Sequence, residues 1–260
     1  MRIITVAEMA LREMLRRRGV LVLLLTLPLA FYLVRRGDHV GQSIRFLLLG
    51  IAWAVSTAAL FASGTSRPIE PRLRLSGYRS HHLYLGRLAA MWLLGLSIAA
   101  AFFLLIAVDH GDQVRLGAVA LAMLLTVTVA APFGLLIGAV VPRDLEGTLL
   151  LLVVVGVQMM IDPADSVTRI TPFWSSRELG TYAVDHTGTE YLTRGLLHGV
   201  LFTLAATLLV ALLSTLRLRT RPTSATSNPS PLLTPSPPSL SLRRSRTSSS
   251  IKGIWSCFDL

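Results

Sequence analysis

The chain has 260 residues, 52% of them hydrophobic and only 15% charged, and its mean hydropathy is +0.61. A soluble domain of this size needs more charge to cover its surface, whereas lipid accepts an apolar exterior, so the composition excludes an ordinary soluble domain and points to a membrane protein. The net charge of +11 rests almost wholly on Arg at the ends of apolar runs, an arrangement that argues for membrane topology and against a nucleic-acid partner.

Residues 1–18 carry Ile3, Ala7, Ala10, Leu11 and Met14 on one helical face and Glu8, Arg12, Glu13 and Arg16 on the other, which predicts an amphipathic interfacial helix. Glu8 with Arg12 and Glu13 with Arg17 stand four apart in the favourable order. A cleaved signal peptide is the rival reading; the acids in the segment and the lack of a small-residue cleavage site favour a retained helix. Residues 19–216 then read as a six-span transmembrane domain. The predicted spans are Gly19 to Val34, Ile44 to Ser63, Leu88 to Val108, Leu116 to Val141, Thr148 to Ile161 and Tyr191 to Leu216. About 20 residues cross a hydrocarbon core about 30 Å thick, so the first is short and the fifth, which ends at Asp162-Pro163, is shorter still. Residues 217–260 are rich in Pro, Ser and Arg and are predicted to be a disordered tail. Arg243, Arg244, Arg246 and Lys252 are candidates there for contact with anionic headgroups, beside the plainer reading of a solvated tail.

The fold class predicted is therefore all-α, a polytopic transmembrane helical bundle of about six spans. The N-terminal segment and the loop 64–87 hold five Arg each, which places both on the cytoplasmic side and, with six spans, both termini there as well. Arg35 and Arg36 oppose the rule locally and are outnumbered.

The chemistry-bearing residues exclude several function classes. All 14 acids fall outside the predicted span cores, and a proton- or sodium-coupled transporter needs a carboxylate near midplane. No G-x-x-x-x-G-K-[ST] is present, so ATP would have to be hydrolysed by a partner. There is no H-E-x-x-H, His81 and His82 lie in a loop, and His198 reads as a helix-packing residue; no metal or other cofactor is expected, and the chain is not expected to be an enzyme. The single cysteine, Cys257, excludes an intrachain disulfide framework.

The most informative polar segment is TSRPIEPRLRLSGYRSHHLYLGR, Thr65 to Arg87, in which Pro68 and Pro71 break helix while Leu73, Leu75 and Tyr78 alternate with Arg. It reads equally as a docking element for a soluble partner or as positive-inside charge with headgroup contact. Pro132, Gly134 and Gly138 in the fourth span, and Gly147 and Gly156 around the fifth, are candidates for helix bending or close packing, beside the ordinary use of Gly and Pro in membrane helices. Gln158 and Met159 are polar or soft residues available to line a path.

Three stretches, PRLRLSGYRSHHLYLGRLAAMWLLG from Pro71, FGLLIGAVVPRDLEGTLLLLVVVGVQMM from Phe133 and TPFWSSRELGTY from Thr171, resemble the ABC-2 type permeases, the membrane subunits of ATP-binding-cassette exporters. They are similar to that family's inner loop before span three, its cytoplasmic hairpin between spans four and five, and its outer segment before the last span. The resemblance covers residues 1 to 216. It implies a multi-pass protein of a bacterial inner (plasma) membrane that forms its substrate path as a homo- or heterodimer with a second permease subunit, surrounded by membrane lipids and driven by cytoplasmic ABC ATPase subunits. It further implies a coupling element at 64–87, with Arg67, Glu70, Arg72, Arg74 and Tyr78 as the ATPase-facing residues, and a re-entrant-like outer segment at 162–190. The tail departs from the family pattern, in which chains stop soon after span six; an appended or frameshifted end is one reading of it. The competing class is a non-transporting membrane scaffold or assembly factor that recruits a cytoplasmic partner through the same loop.

Overall fold

The computed structural model describes residues 2–35, 40–67, 69–141, 143–160, 166–185 and 187–219. The tail predicted to be disordered lies outside the described residues from 220 onward, as do Pro68, Asp162 and Pro163 and the side chains of Arg74 and Met159. The described residues form an all-α bundle without strands. Its helices are α1 (Arg2–Arg16), α2 (Arg18–Arg35), α3 (Val40–Ser66), α4 (Glu70–Leu75), α5 (Ser80–His110), α6 (Leu116–Val140), α7 (Asp144–Met160), α8 (Trp174–Val184) and α9 (Thr189–Arg219), with a short 3-10 turn at Ser166–Ile170 before α8.

Each of the six predicted apolar runs falls on a helix among the described residues, and four of these helices are long and apolar enough to cross a membrane: α3, α5, α6 and residues 189–215 of α9. α2 has 18 residues and meets α1 at a bend of 81°, and the pair passes the same test only when taken together as one broken span. α7, the short fifth run, has 17 residues, roughly 25 Å of helix at 1.5 Å per residue. Four spans, or five with the bent pair, are thus the count among the described residues, against about six predicted. Helix limits also move outward. α5 begins at Ser80, two turns before Leu88, and α7 begins at Asp144, because polar first turns extend a helix beyond its apolar run. Asp144 and Glu146 sit in that first turn of α7, where the helix dipole favours acidic groups.

α3 is the centre of the bundle. Of its most apolar 18-residue window 83% is buried, against 17% for α9, so one helix is core on nearly every side and the other offers Leu197, Leu201, Leu204 and Leu208 outward. The closest seam is between α3 and α6, and small residues make it possible. A Cβ on Gly134 would run into the backbone of Ser56, and one on Gly138 would meet the Ser63 Cβ at 2.6 Å. With hydrogen in place of a side chain, the two helices approach backbone to backbone, as small residues spaced four apart allow. The seam is also polar in a closed way, since the buried Ser56 Oγ donates to the Ala130 carbonyl at 3.0 Å.

Pro132 lies inside α6. Proline removes one amide donor and strands the carbonyl four residues earlier, here that of Thr128. The Trp92 Nε1 on α5 donates to this carbonyl at 3.4 Å, so the neighbouring helix supplies what the proline takes away. On α3 and α2 the same economy of space recurs at Gly50, whose Cβ would stand 2.8 Å from the Pro28 Cα.

The amphipathic face of α1 is inward. Val6 and Met14 are buried and Ile3, Ala7, Ala10 and Leu11 are partly buried, while a Cβ on Gly86 of α5 would stand 2.6 Å from the Val6 Cβ. The stripe expected to meet a membrane interface therefore packs on the first turns of α5. The two predicted ion pairs are present on the outer face, Glu8 with Arg12 at 2.5 Å and Glu13 with Arg17 at 3.1 Å, and their exposure limits each to about 0.3–0.5 kcal/mol.

Candidate functional site

The connection between α3 and α5 is the candidate site. α4 is only six residues long, with Pro71 in its first turn, where a missing amide donor costs nothing because first-turn amides have no helical partner. It ends in a closed cap. Gly77 has φ 83°, the left-handed conformation that glycine adopts without penalty, and the Tyr78 amide donates back to the Leu73 carbonyl at 3.1 Å. The Ser76 amide donates to Arg72 O at 3.2 Å as well, so the last carbonyls of α4 are satisfied by the turn itself. A Schellman-type stop of this kind makes α4 a defined short helix rather than a loose loop.

Charged side chains then tie α4 to the bundle. Arg87, two turns into α5, donates to the Glu70 carboxylate at the start of α4 and to Ser66 Oγ, at the end of α3, at 2.6 Å. The side chains of Arg87 and Glu70 keep only 12% and 21% of their exposure, so the pair is substantially shielded from solvent and loss of either partner leaves the other charge largely buried and unpaired. Arg67 reaches in the other direction. Its guanidinium donates to the Gly138 and Val141 carbonyls at the end of α6, the latter at 2.6 Å, and so completes the last turn of that helix. One bracket thus joins the ends of α3 and α6 and the beginning of α5, with α4 held across it.

This places the predicted partner-facing residues in two groups. Arg67 and Glu70 are turned into the bundle and occupied by Gly138, Val141 and Arg87. Arg72 is exposed, Tyr78 is partly exposed, and the side chain of Arg74 lies outside the described residues. Leu75 is 91% exposed at the end of α4, and Ile69 is 47% exposed just before it. An apolar side chain that open, flanked by Arg72, is the kind of anchor a protein partner covers. The sequence reading names Leu75 only as one of three apolar residues among the arginines, and Arg87 only as the end of the segment, without a role for either. Gly77, following an apolar-ended short run, is the signal that would have marked the α4 stop.

The remaining candidates are distributed. Gly134 and Gly138 form the α3 seam, Gly147 sets α7 against Leu60, with a Cβ there 2.7 Å from the Leu60 Cδ1, and Gly156 has no atom within 4 Å of where a Cβ would stand. His198 shares a hydrogen bond with the Arg169 carbonyl at 3.0 Å and packs between Trp174 and Phe202. The segment 162–190 contributes α8, whose Leu179 and Ala183, with Phe173 before it, are fully buried against the bundle. Glu178 on α8 has its carboxyl held above the usual range, chiefly by burial, with Arg194, Arg177 and Arg169 pulling the other way. Among the described residues no group of three or more His, Cys, Asp or Glu is placed to hold a metal ion.

Gln158 is fully inside the protein at 3% exposure, and neither its amide nitrogen nor its oxygen finds a hydrogen-bond partner among the described residues. Such an orphaned amide costs about 1–3 kcal/mol.

Together these features define a helical membrane protein with a braced, outward-displayed connecting helix. Comparison with family models and with curated proteins matches none.

Proposed function

We propose that the chain is the membrane-spanning permease subunit of an ABC exporter, working as a dimer in the inner membrane and driven by a separate cytoplasmic ATPase. The observation that carries this reading is α4: a short, capped helix that offers Leu75 and Arg72 to a partner while the Glu70–Arg87 pair and the Arg67 contacts fasten it to α3, α5 and α6. A push on α4 would pass to α5 through the Glu70–Arg87 pair and to α3 through the chain that joins them, where Arg67 carries it on to the end of α6. That is what a coupling element requires. The α3–α6 seam, packed backbone to backbone, would move as a rigid unit, and tilting of such units in two facing subunits opens and closes a path between them. The outward leucines of α9 and the apolar face of α2, with Val22, Leu25, Leu29 and Leu33 exposed, supply surfaces for lipid and for a second subunit. The resemblance of the three sequence stretches to the ABC-2 permeases supports the same reading.

The test is co-purification of the tagged chain in mild detergent, with mass spectrometry of what it retains, beside an Arg72→Glu, Leu75→Asp variant. The expected outcome is a P-loop ATPase with the native chain and its loss with the variant at equal recovery and equal melting temperature. Recovery of a cytoplasmic partner that is not an ATPase, lost with the same variant, would replace the permease reading with a scaffold.

A further inference from the structure

At the end of α3 away from α4, a cavity of about 220 Å³ opens between the first turns of α3, the end of α7 and the start of α8. α8 is laid directly along α3 to enclose it, since a Cβ on Gly180 would touch Leu48 and Arg45 at 3.3 and 3.4 Å. Phe46 and Leu49 give the cavity an apolar side, and Gln42, Gln158 and Ser176 bring neutral polar groups to its wall. The cations on that wall are engaged: Arg45 is paired with Asp185, and Arg177 has a partner of its own.

Gln158 is the informative residue. It is buried and neither end of its amide meets a hydrogen-bond partner, a state folding alone disfavours, because a methionine of similar length would pack there with no hydrogen bond left unmade. The nitrogen calls for an acceptor and the oxygen for a donor. An anion answers only the nitrogen and a cation only the oxygen, so the complement is an uncharged group that presents both on one edge. A primary carboxamide or a lactam does so, with N–H and C=O on the same side, whereas an ordinary trans secondary amide points them apart. The terminal torsion of a glutamine is broad, so the Gln158 amide turns to meet such a partner at little cost.

Water also donates and accepts, but one water needs only about 10–15 Å³ of such space, and waters against Phe46 and Leu49 would find no partner there. A ligand with an apolar body displaces such poorly held waters favourably. A cavity of about 150 Å³ holds one benzene, which sets the size of that body at a single ring beside its amide.

We infer that this cavity binds an uncharged carboxamide about the size of one ring, with its amide edge paired to Gln158 and its body against Phe46 and Leu49. The inference concerns binding and holds whether or not an ATPase drives the protein.

The test uses the full chain purified in detergent and compares benzamide with N,N-dimethylbenzamide, which keeps the acceptor and loses the donor, and with benzoate, which is charged and has acceptors alone. Saturation-transfer NMR titrations, with empty micelles as the blank, give each dissociation constant. Benzamide should bind at least about tenfold more tightly than either analogue, the loss expected when a buried amide atom goes unanswered. Gln158→Met should remove that preference and melt no lower than the native chain, which separates loss of binding from loss of fold. Leu49→Trp fills the apolar side and leaves the amide in place; it should abolish benzamide binding, and it reads the site if Gln158→Met is not recovered folded. Equal binding of the three probes, a benzamide preference that survives Gln158→Met, or benzamide binding untouched by Leu49→Trp overturns the inference. So does the absence of binding above the blank, which leaves the cavity to water.

Discussion

The two ends of α3 are built on opposite terms. At the Ser66 end the buried polar groups answer one another: Arg87 meets Glu70 and Ser66, and Arg67 takes the carbonyls that finish α6. At the Val40 end, about 39 Å away along the helix, the Gln158 amide stands unanswered beside a cavity. Satisfied networks rigidify the elements they join, whereas an unsatisfied group is kept only at a cost in stability. The difference teaches that one end of α3 is cross-braced by charged side chains, whereas the other keeps a buried amide unpartnered beside a cavity.

The comparison can be broken most severely at the seam that connects the two ends. Gly134→Val puts a branched side chain where the Ser56 backbone already lies, and no side-chain rotation relieves that collision. It should lower stability by about 3 kcal/mol or prevent recovery of folded protein, read from thermal unfolding in detergent. Gly156→Ala, with no atom within 4 Å of the new methyl and an interior position in α7, is the control and should leave the fold intact and raise stability by about 0.5–1 kcal/mol.

A smaller effect sharpens the bracket itself. Arg87→Met leaves Glu70 partly buried without its partner and should cost about 2 kcal/mol, less than for a fully buried pair because both side chains retain some solvent. Adding Glu70→Gln should restore part of that loss, so a double-mutant cycle reads the coupling directly. If the two substitutions add without coupling, the pair does not brace α4.

The smallest expected effect is at Glu178, beside the open end. Its carboxyl is held above the ordinary range by burial, so the folded protein takes up a proton there more readily than the unfolded chain does. Between the ordinary and the raised pKa the folded state then binds more protons than the unfolded one, and stability falls as pH rises through that window. Glu178→Gln should flatten this part of the pH dependence and raise the melting temperature slightly at neutral pH. A melting temperature that rises with pH across the same window, unchanged by the substitution, contradicts the assignment.

Much of the fold was legible in the sequence because it depends on local pattern. Apolar runs of about 20 residues announce helices through their lack of charge, and the face of α1 and its two ion pairs follow from a period of 3.6. What was not legible depends on residues far apart in the chain. Arg67 reads in the sequence as a partner-facing cation of the loop, and nothing near it says that its hydrogen-bond acceptors lie about 70 residues later, at the end of α6. Glu70 likewise gives no sign of Arg87, because the turn at Gly77 brings them together. The spacing around α1 predicted an apolar stripe, yet spacing cannot say whether lipid or another helix covers it, and here α5 does. α7 reads as short in the sequence, and the structure adds a polar first turn on its N-terminal side to give 17 residues among those described.

The most direct measurement of the central claim is cross-linking from the exposed tip of α4. A Leu75→Cys chain carrying Cys257→Ser, treated in native membranes with a short bifunctional reagent, has one thiol, placed where the partner should sit. The account predicts a single main adduct whose mass-spectrometric identity is a P-loop ATPase, and its loss when Arg72→Glu is added. A thiol that reacts fully with a soluble maleimide yet yields no adduct with an ATPase would contradict it.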